Sequence, residues 1–385
     1  MYKLNPITRE LQISGIRKFT DLVASYPDAI SLTIGQPHWP TPEHVRRAAA
    51  AAIEDGRTTY TPNRGLPALR QAVAMYYSDK FQLEYHPETE ILVTAGATHA
   101  LDISLRTLLQ PGDEVLIPGP AYPGYEPVVR LAGANPVLID TRSDGFKVTP
   151  ASFKAHVNER TKAIVLASPA NPTGVAYTRE ELSELADALR PTNLYVILDE
   201  IYSELHFAEQ HVSLATLPDM RHRSIVIHGL SKSHSMTGWR IGFTFAPAEI
   251  TAEMVKLLQY SITCASSISQ YAALAAMEDG RHDAKPMREQ YRQNRDLVVE
   301  SLRQMGLHIV EPQGAFYAFP DITSSGKSSQ QFATDLLQEA NVAVIPGDAF
   351  SALGEGYVRL SYACEPDKLR EALERMGRFV ARCRG

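Results

Sequence analysis

A lysine and an arginine eight residues apart, Lys232 and Arg240, lie in a loop of small residues, Ser231-Lys232-Ser233-His234-Ser235-Met236-Thr237-Gly238-Trp239-Arg240. Two apolar runs flank the loop, residues 224–230 and 241–247, and their length and β-branching read as buried strands. A lone lysine is ordinarily a solvated surface group. Here the surrounding Ser, Thr and Gly would let backbone approach a polar ligand closely. An amine is a nucleophile only when neutral, and a free lysine titrates near about 10.4. Condensing Lys232 with an aldehyde therefore requires burial or neighbouring charge.

Other residues invite a plain and a chemical reading side by side. Gly35 ends a short apolar stretch at Gly35-Gln36-Pro37 and is by default a turn glycine. Tyr60, in the loop Thr59-Tyr60-Thr61-Pro62-Asn63-Arg64-Gly65, is by default a packing residue. Gly96-Ala97-Thr98 turns the strand at 91–94 into a helix. A helix start offers free N–H groups and a positive dipole end, so Ala97 and Thr98 are assigned to a phosphate, with His99 a bystander. Tyr122 sits among prolines in Gly119-Pro120-Ala121-Tyr122-Pro123-Gly124-Tyr125, ordinarily a loop wedge, and Tyr125 is open between a ring contact and plain packing. Asn171-Pro172-Thr173-Gly174 reads as a turn. Asp199, at the head of Asp199-Glu200-Ile201-Tyr202, reads as a carboxylate capping whatever follows the strand at 194–198. Arg359 alternates with apolar neighbours in Tyr357-Val358-Arg359-Leu360-Ser361 and is by default a salt-bridge partner.

The segment from Ser231 to Gly242 resembles the cofactor-lysine segment of the class I and II aminotransferases, pyridoxal 5′-phosphate enzymes with the aspartate aminotransferase fold (fold type I). The likeness runs in the family's order from Gly35 to Arg359. It implies that Lys232 bonds to the cofactor aldehyde and that Arg240 holds the cofactor phosphate. Tyr122 would stack on the pyridine ring. Asn171 and Tyr202 would contact its phenolic oxygen, and Asp199 would keep its nitrogen protonated by charge pairing. Arg359 would clamp the substrate α-carboxylate with two parallel hydrogen bonds, helped by Asn171 and the Gly35 backbone. Tyr60 would reach the phosphate of a neighbouring copy, which requires a homodimer with shared sites. One departure stands out: where many members carry a phosphate-binding serine three residues before the lysine, this chain has Gly229, and Ser231 would compensate. Residues 13–19, 228–240 and 264–270 further resemble the N-acetyl-L,L-diaminopimelate aminotransferases of lysine synthesis, with glutamate and 2-oxoglutarate as the expected common pair. Aspartate or aromatic amino acid transfer, C–S β-elimination on the same cofactor, and a non-catalytic ligand-sensing domain are the alternatives. The last is weakened because only about 40 residues precede the first helix of the cofactor domain, too few for a DNA-binding domain.

Positioning these groups needs a scaffold, and the pattern supplies one. Apolar runs at 114–118, 137–140, 163–167 and 194–198 alternate with helical stretches. This predicts an α/β fold with a mostly parallel sheet between helices. Ligands on such sheets sit beyond the carboxyl ends of the strands, where the loops after 163–167 and 194–198 fall. Thr41-Pro42 reads as a helix N-cap with proline at N1, and Thr178 with Glu181 as a capping box. Residues 1–40 read as an arm and loop, 309–319 as two short strands around Gly314, and 342–346 as one strand. The expected division is an arm at 1–45 that completes the small domain, a large domain at 46–283 and a smaller α+β domain at 284–385.

Composition narrows the classes further. The 385 residues suit two domains, and 44% hydrophobic with 21% charged is ordinary for a globular protein. A net charge of −6 without a basic block gives no footprint for nucleic acid. Three scattered cysteines, Cys264, Cys364 and Cys383, form no metal-ligand spacing and point to a reducing compartment. With no signal-like or membrane-length apolar run, the expectation is a cytoplasmic enzyme of small amino and oxo acids, with no metal.

Overall fold

In the computed structural model, residues 4–207 and 210–384 are described. The first two helices, α1 (Pro6–Glu10) and α2 (Gly15–Val23), precede a short strand β1 (Ile30–Ser31). Two further helices, α3 (Glu43–Glu54) and α4 (Pro67–Phe81), lead into the main sheet. Its strands are β2 (Ile91–Thr94), β3 (Glu114–Gly119), β4 (Asn135–Asp140), β5 (Thr161–Ala167), β6 (Tyr195–Asp199), β7 (Ser224–Gly229) and β8 (Gly242–Phe245). They lie in the order β2-β8-β7-β6-β5-β3-β4. All neighbours are parallel except β8, which runs antiparallel to β2 and to β7.

Side-chain alternation explains why this sheet is covered on both faces. In β6, Val196 and Leu198 enter one core while Ile197 enters the opposite one. Neighbouring strands do the same, with Ile164 and Leu166 against Ala163 and Val165, and Val226 against Ile225 and Ile227. Burying each such side chain contributes about 1.5–3 kcal/mol. A sheet with two apolar faces must be sandwiched, and α5 (Ala97–Leu108) with the helix Ala248–Ile262 packs one side. A third core gathers mainly residues from the C-terminal hundred, with Phe19 and Leu32 of the N-terminal stretch and Phe146, Val175, Tyr202 and Leu205 from the middle of the chain. Its strands are β9 (Tyr317–Ala318), β10 (Val342–Ala343), β11 (Ile345–Pro346) and β12 (Val358–Ser361).

Several local expectations are corrected. Residues 1–40 are not merely arm and loop, since α1 and α2 form there; the first three residues lie outside the described set. Thr41 does not cap the next helix: Pro42 occupies the cap position, and Thr41 Oγ1 instead donates to the Ser235 carbonyl at 2.7 Å. That long-range bond ties the helix entry to the lysine loop. The stretch 309–319 yields one short strand, β9, plus an isolated bridge between Gly314 and His206. The run 342–346 splits at Val344, because β10 pairs with β1 while β11 pairs with β12. The capping box forms as expected: Glu181 N–H donates to Thr178 Oγ1 at 3.2 Å, and Thr178 N–H to Glu181 Oε2 at 2.8 Å.

Candidate active site

The carboxyl ends of β3, β5, β6 and β7, the start of α5, and the edge of β12 open on one cavity of ≈ 310 Å³. Gly35, Ala97, Thr98, Tyr122, Asn171, Asp199, Tyr202, Ser231, Lys232, Arg240 and Arg359 all line it. Tyr60 does not; it is 84% exposed on this chain.

Lys232 follows β7 directly, so the sheet sets where its stem begins. Its Nζ donates to the Gly35 carbonyl at 2.7 Å and lies 5.8 Å from the Tyr202 ring centre. Burial pushes the amine down to about 8, helped by Arg359 and Arg240 and opposed by Asp199. Asp199 ends β6, half-buried at the cavity wall. Tyr125 OH donates to its Oδ2 at 2.7 Å and Ile201 N–H to its Oδ1 at 3.3 Å. Burial nonetheless raises this carboxyl above its ordinary value. A cation placed against it would relieve that burial cost.

Arg359 is 2% exposed. Its Nη1 donates to Asn171 Oδ1 at 3.1 Å and its Nη2 to the Thr33 carbonyl at 2.7 Å. The guanidinium lies over Tyr317, 4.4 Å from the ring centre. A guanidinium has five N–H groups, and Nε has no partner. A buried donor of that kind is costly unless an anion meets it. Because Asn171 accepts through Oδ1, its amide N–H groups remain to donate elsewhere. Tyr202 OH and Tyr317 OH are paired at 2.9 Å.

The end of the cavity at Arg240 depends on close backbone approach. Gly96 precedes α5 at φ 84°, where a Cβ would sit 2.7 Å from Arg240 Nη2. A Cβ on Gly242 would come 2.7 Å from Gly96 C and 2.8 Å from Ala97 N. Arg240 itself takes φ 51°, a left-handed conformation that costs a non-glycine residue energy, and its Nη1 donates to the Thr237 carbonyl at 3.0 Å. Strained backbone, two glycines and a helix N-terminus thus converge on Arg240, Ser231, Ala97 and Thr98. Gly229 is absent from the cavity lining, and a Cβ there would lie 3.0 Å from the Ile241 carbonyl. Packing leaves little room at that position for the serine that many family members carry.

The structure adds to the readings made for the lining residues, of which Tyr125, Tyr317 and Ile16 bear most on the site. Tyr125, left open between contact and packing, holds Asp199. Tyr317 follows Gly314 in a stretch with no chemical signal, and Ile16 sits on α2, which was not recognised as a helix. A buried cluster behind the sheet was equally invisible: Glu200 Oε2 lies 3.1 Å from His211 Nε2 and 3.3 Å from His228 Nε2. Burial alone would raise Glu200, but the two histidines overcome it and hold the carboxyl at about 2. His99, by contrast, accepts from Ala95 N–H and meets Ser261 Oγ, which secures the turn rather than the ligand.

The donor set fits pyridoxal phosphate. It offers a depressed lysine for an aldehyde, a half-buried carboxyl for a pyridine nitrogen, a cationic helix start for a phosphate and a buried guanidinium with an orphan N–H for a carboxylate.

Comparison with known proteins agrees. Residues 27–376 match the aminotransferase class I and II family. A probable N-acetyl-LL-diaminopimelate aminotransferase of Bacillus subtilis strain 168 is 53% identical over 381 residues, covering 99% of this chain and 96% of the relative. An aromatic-amino-acid aminotransferase 2 of Thermococcus litoralis is 40% identical, covering 95% of each. The solved aspartate aminotransferase of Thermus thermophilus with maleate superposes with a TM-score of 0.93 at 36% identity, covering 98% of this chain and 100% of that one. The chain therefore belongs to the pyridoxal phosphate-dependent class I and II aminotransferases and is a transaminase.

Proposed function

We propose that this enzyme moves the amino group of N-acetyl-L,L-diaminopimelate to and from a 2-oxo acid, with glutamate and 2-oxoglutarate as the common pair. The observation that carries the transfer chemistry is the depressed Lys232 amine in one cavity with Asp199 and Arg359. The name of the Bacillus subtilis relative supports the substrate. The names of the Thermococcus litoralis and Thermus thermophilus proteins favour the second reading, aromatic or aspartate amino transfer.

Bound at this site, pyridoxal phosphate supplies an electron sink for charge developing on the substrate α-carbon. Lys232 would bond to the cofactor aldehyde, and its amine is placed to take and return the substrate α-proton. Asp199, oriented by Tyr125, would hold positive charge on the ring nitrogen. Tyr122 would contact the ring, and Asn171 and Tyr202 would contact the phenolic oxygen. Arg240, Ser231 and the Ala97 and Thr98 N–H groups would hold the phosphate. Arg359 and the Gly35 backbone hold the α-carboxylate, keeping the α-carbon within reach of Lys232.

The reading includes a homodimer in which Tyr60, exposed here, reaches the phosphate of the other copy. It also includes the division at 45 and 283, supported by the separate core of the C-terminal stretch, with Gly385 outside the described residues. A cytoplasmic setting rests on Cys264, Cys364 and Cys383, all free. Among the described residues no helix is long and apolar enough to cross a membrane.

A half-reaction screen tests the proposal. Single amino acids are added to holoenzyme while the visible band of lysine-bound cofactor is followed. Glutamate and N-acetyl-L,L-diaminopimelate should bleach it. A response to aspartate or aromatic amino acids alone would select the second reading, and pyruvate released from cystathionine without an oxo acid would select the lyase alternative. Mixing inactive Tyr60 and Lys232 variants should restore activity in hybrid dimers if the sites are shared.

A further inference from the structure

Outward from Lys232 lies a second, wider space of ≈ 750 Å³. Ile16, Gly35, Tyr122 and Lys232 line both spaces, so the two are continuous. A substrate held by Arg359 with its α-carbon at Lys232 has this space available for its far end. One wall is α2, which contributes Ile16, Arg17 and Thr20.

The charge in these spaces is one-sided. Among the described residues Asp199 is the only carboxylate lining either of them, and it accepts from Tyr125 and Ile201. Among the cations, Lys232, Arg240 and Arg359 already have tasks at the cofactor or the α-carboxylate. Arg17 is left over. It is exposed and has no hydrogen bond or ion pair with any described residue. A long cationic side chain at the rim of an anion-free chamber is positioned to attract a carboxylate.

The placement of α2 is determined by packing. Phe19 is buried in the small-domain core. Gly15 packs so closely that a Cβ there would lie 2.9 Å from Ala349 Cβ. With Gly15 against Ala349 and Phe19 in the core, Ile16 and Arg17 are held toward the chamber.

We propose that Arg17 is a specificity-determining residue that binds the carboxylate at the far end of the substrate, with Ile16 packing against the carbon chain between. The idea rests on the amino-transfer reading above. The γ-carboxylate of glutamate and the distal carboxylate of a longer diacid present the same planar group, which a guanidinium can bind through two parallel hydrogen bonds. A neutral amino acid offers Arg17 nothing.

The test uses holoenzyme and the half-reaction, comparing glutamate with alanine in the parent, Arg17→Gln and Arg17→Lys. Loss of one charged contact should raise the half-saturating glutamate concentration about 10- to 100-fold in Arg17→Gln, with the alanine value unmoved. Arg17→Lys should recover part of the loss, since it keeps the charge without the fork. Unchanged glutamate saturation in Arg17→Gln overturns the proposal. So does an equal loss for glutamate and alanine, which would mean a structural role for α2. A parent that responds to no amino acid would overturn the amino-transfer reading and this proposal together.

Discussion

The depressed Lys232 amine makes a quantitative prediction about pH. Its value of about 8, against 10.5 for an unperturbed lysine, comes first from burial and then from Arg359 and Arg240. At pH 7 the neutral, nucleophilic fraction is then about one tenth, roughly 300-fold more than for a surface lysine. In apoprotein, the rate of forming the visible band with added pyridoxal phosphate should rise with pH and level off around a midpoint near 8. Removing a neighbouring cation should ease the pressure on the charged form, so Arg359→Ala should move the midpoint upward. Removing Asp199, which opposes the depression, should move it downward. The same shift links stability to pH. Across roughly pH 8 to 10.5 the unfolded chain keeps a proton that the folded chain has shed. Stability should therefore rise with pH over that window, and the burial cost should be felt in full below it. A midpoint at or above 10, or one that ignores Arg359→Ala, would refute the argument that this environment activates the lysine.

Asp199→Asn keeps the shape but removes the charge opposite Lys232, and steady-state kinetics should show kcat down by about 100-fold or more with KM little changed. Gly242→Ala places a methyl against Gly96 C and Ala97 N, both backbone; denaturant titration should show a loss of about 1–3 kcal/mol, and spectroscopic titration weaker cofactor binding. Glu200→Gln leaves His211 and His228 facing no carboxylate and should cost about 3 kcal/mol near neutral pH. Because Glu200 is held at about 2, its contribution is present above the ordinary carboxyl range and lost as pH falls toward 2. The variant's acid unfolding curve should be flatter over that interval.

Local chemistry made much of this protein legible from residues alone. The strands around Lys232 declare themselves by unbroken β-branched runs, because a strand buried on both faces has no polar side to show. The Thr178 box is visible because both its partners lie three residues apart. Lys232, Asn171 and Asp199 sit in short, dense motifs at or just past strand ends, with Arg240 just before β8, and the sheet brings these segments to one edge. Short segments that depend on distant partners were not readable. The strand β10 exists because β1 pairs with it, and Thr41 turns from capping its helix to Ser235, 194 residues away.

The order of residues was enough to point to the α/β fold class, and the resemblance of short motifs put forward Lys232, Asp199 and Arg359 as candidates for one site, all three of which line the same cavity. Only the tertiary structure decided that Tyr125 orients Asp199, that Glu200 is clasped by two histidines, and that α2 brings Ile16 and Arg17 to the mouth of the cavity. Those relations join residues from 11 to 74 or more positions apart, or from separate cores, with no pattern linking them along the chain. Burial and the direction of a side chain arise from packing, which acts in space and leaves no periodic mark in the order of residues.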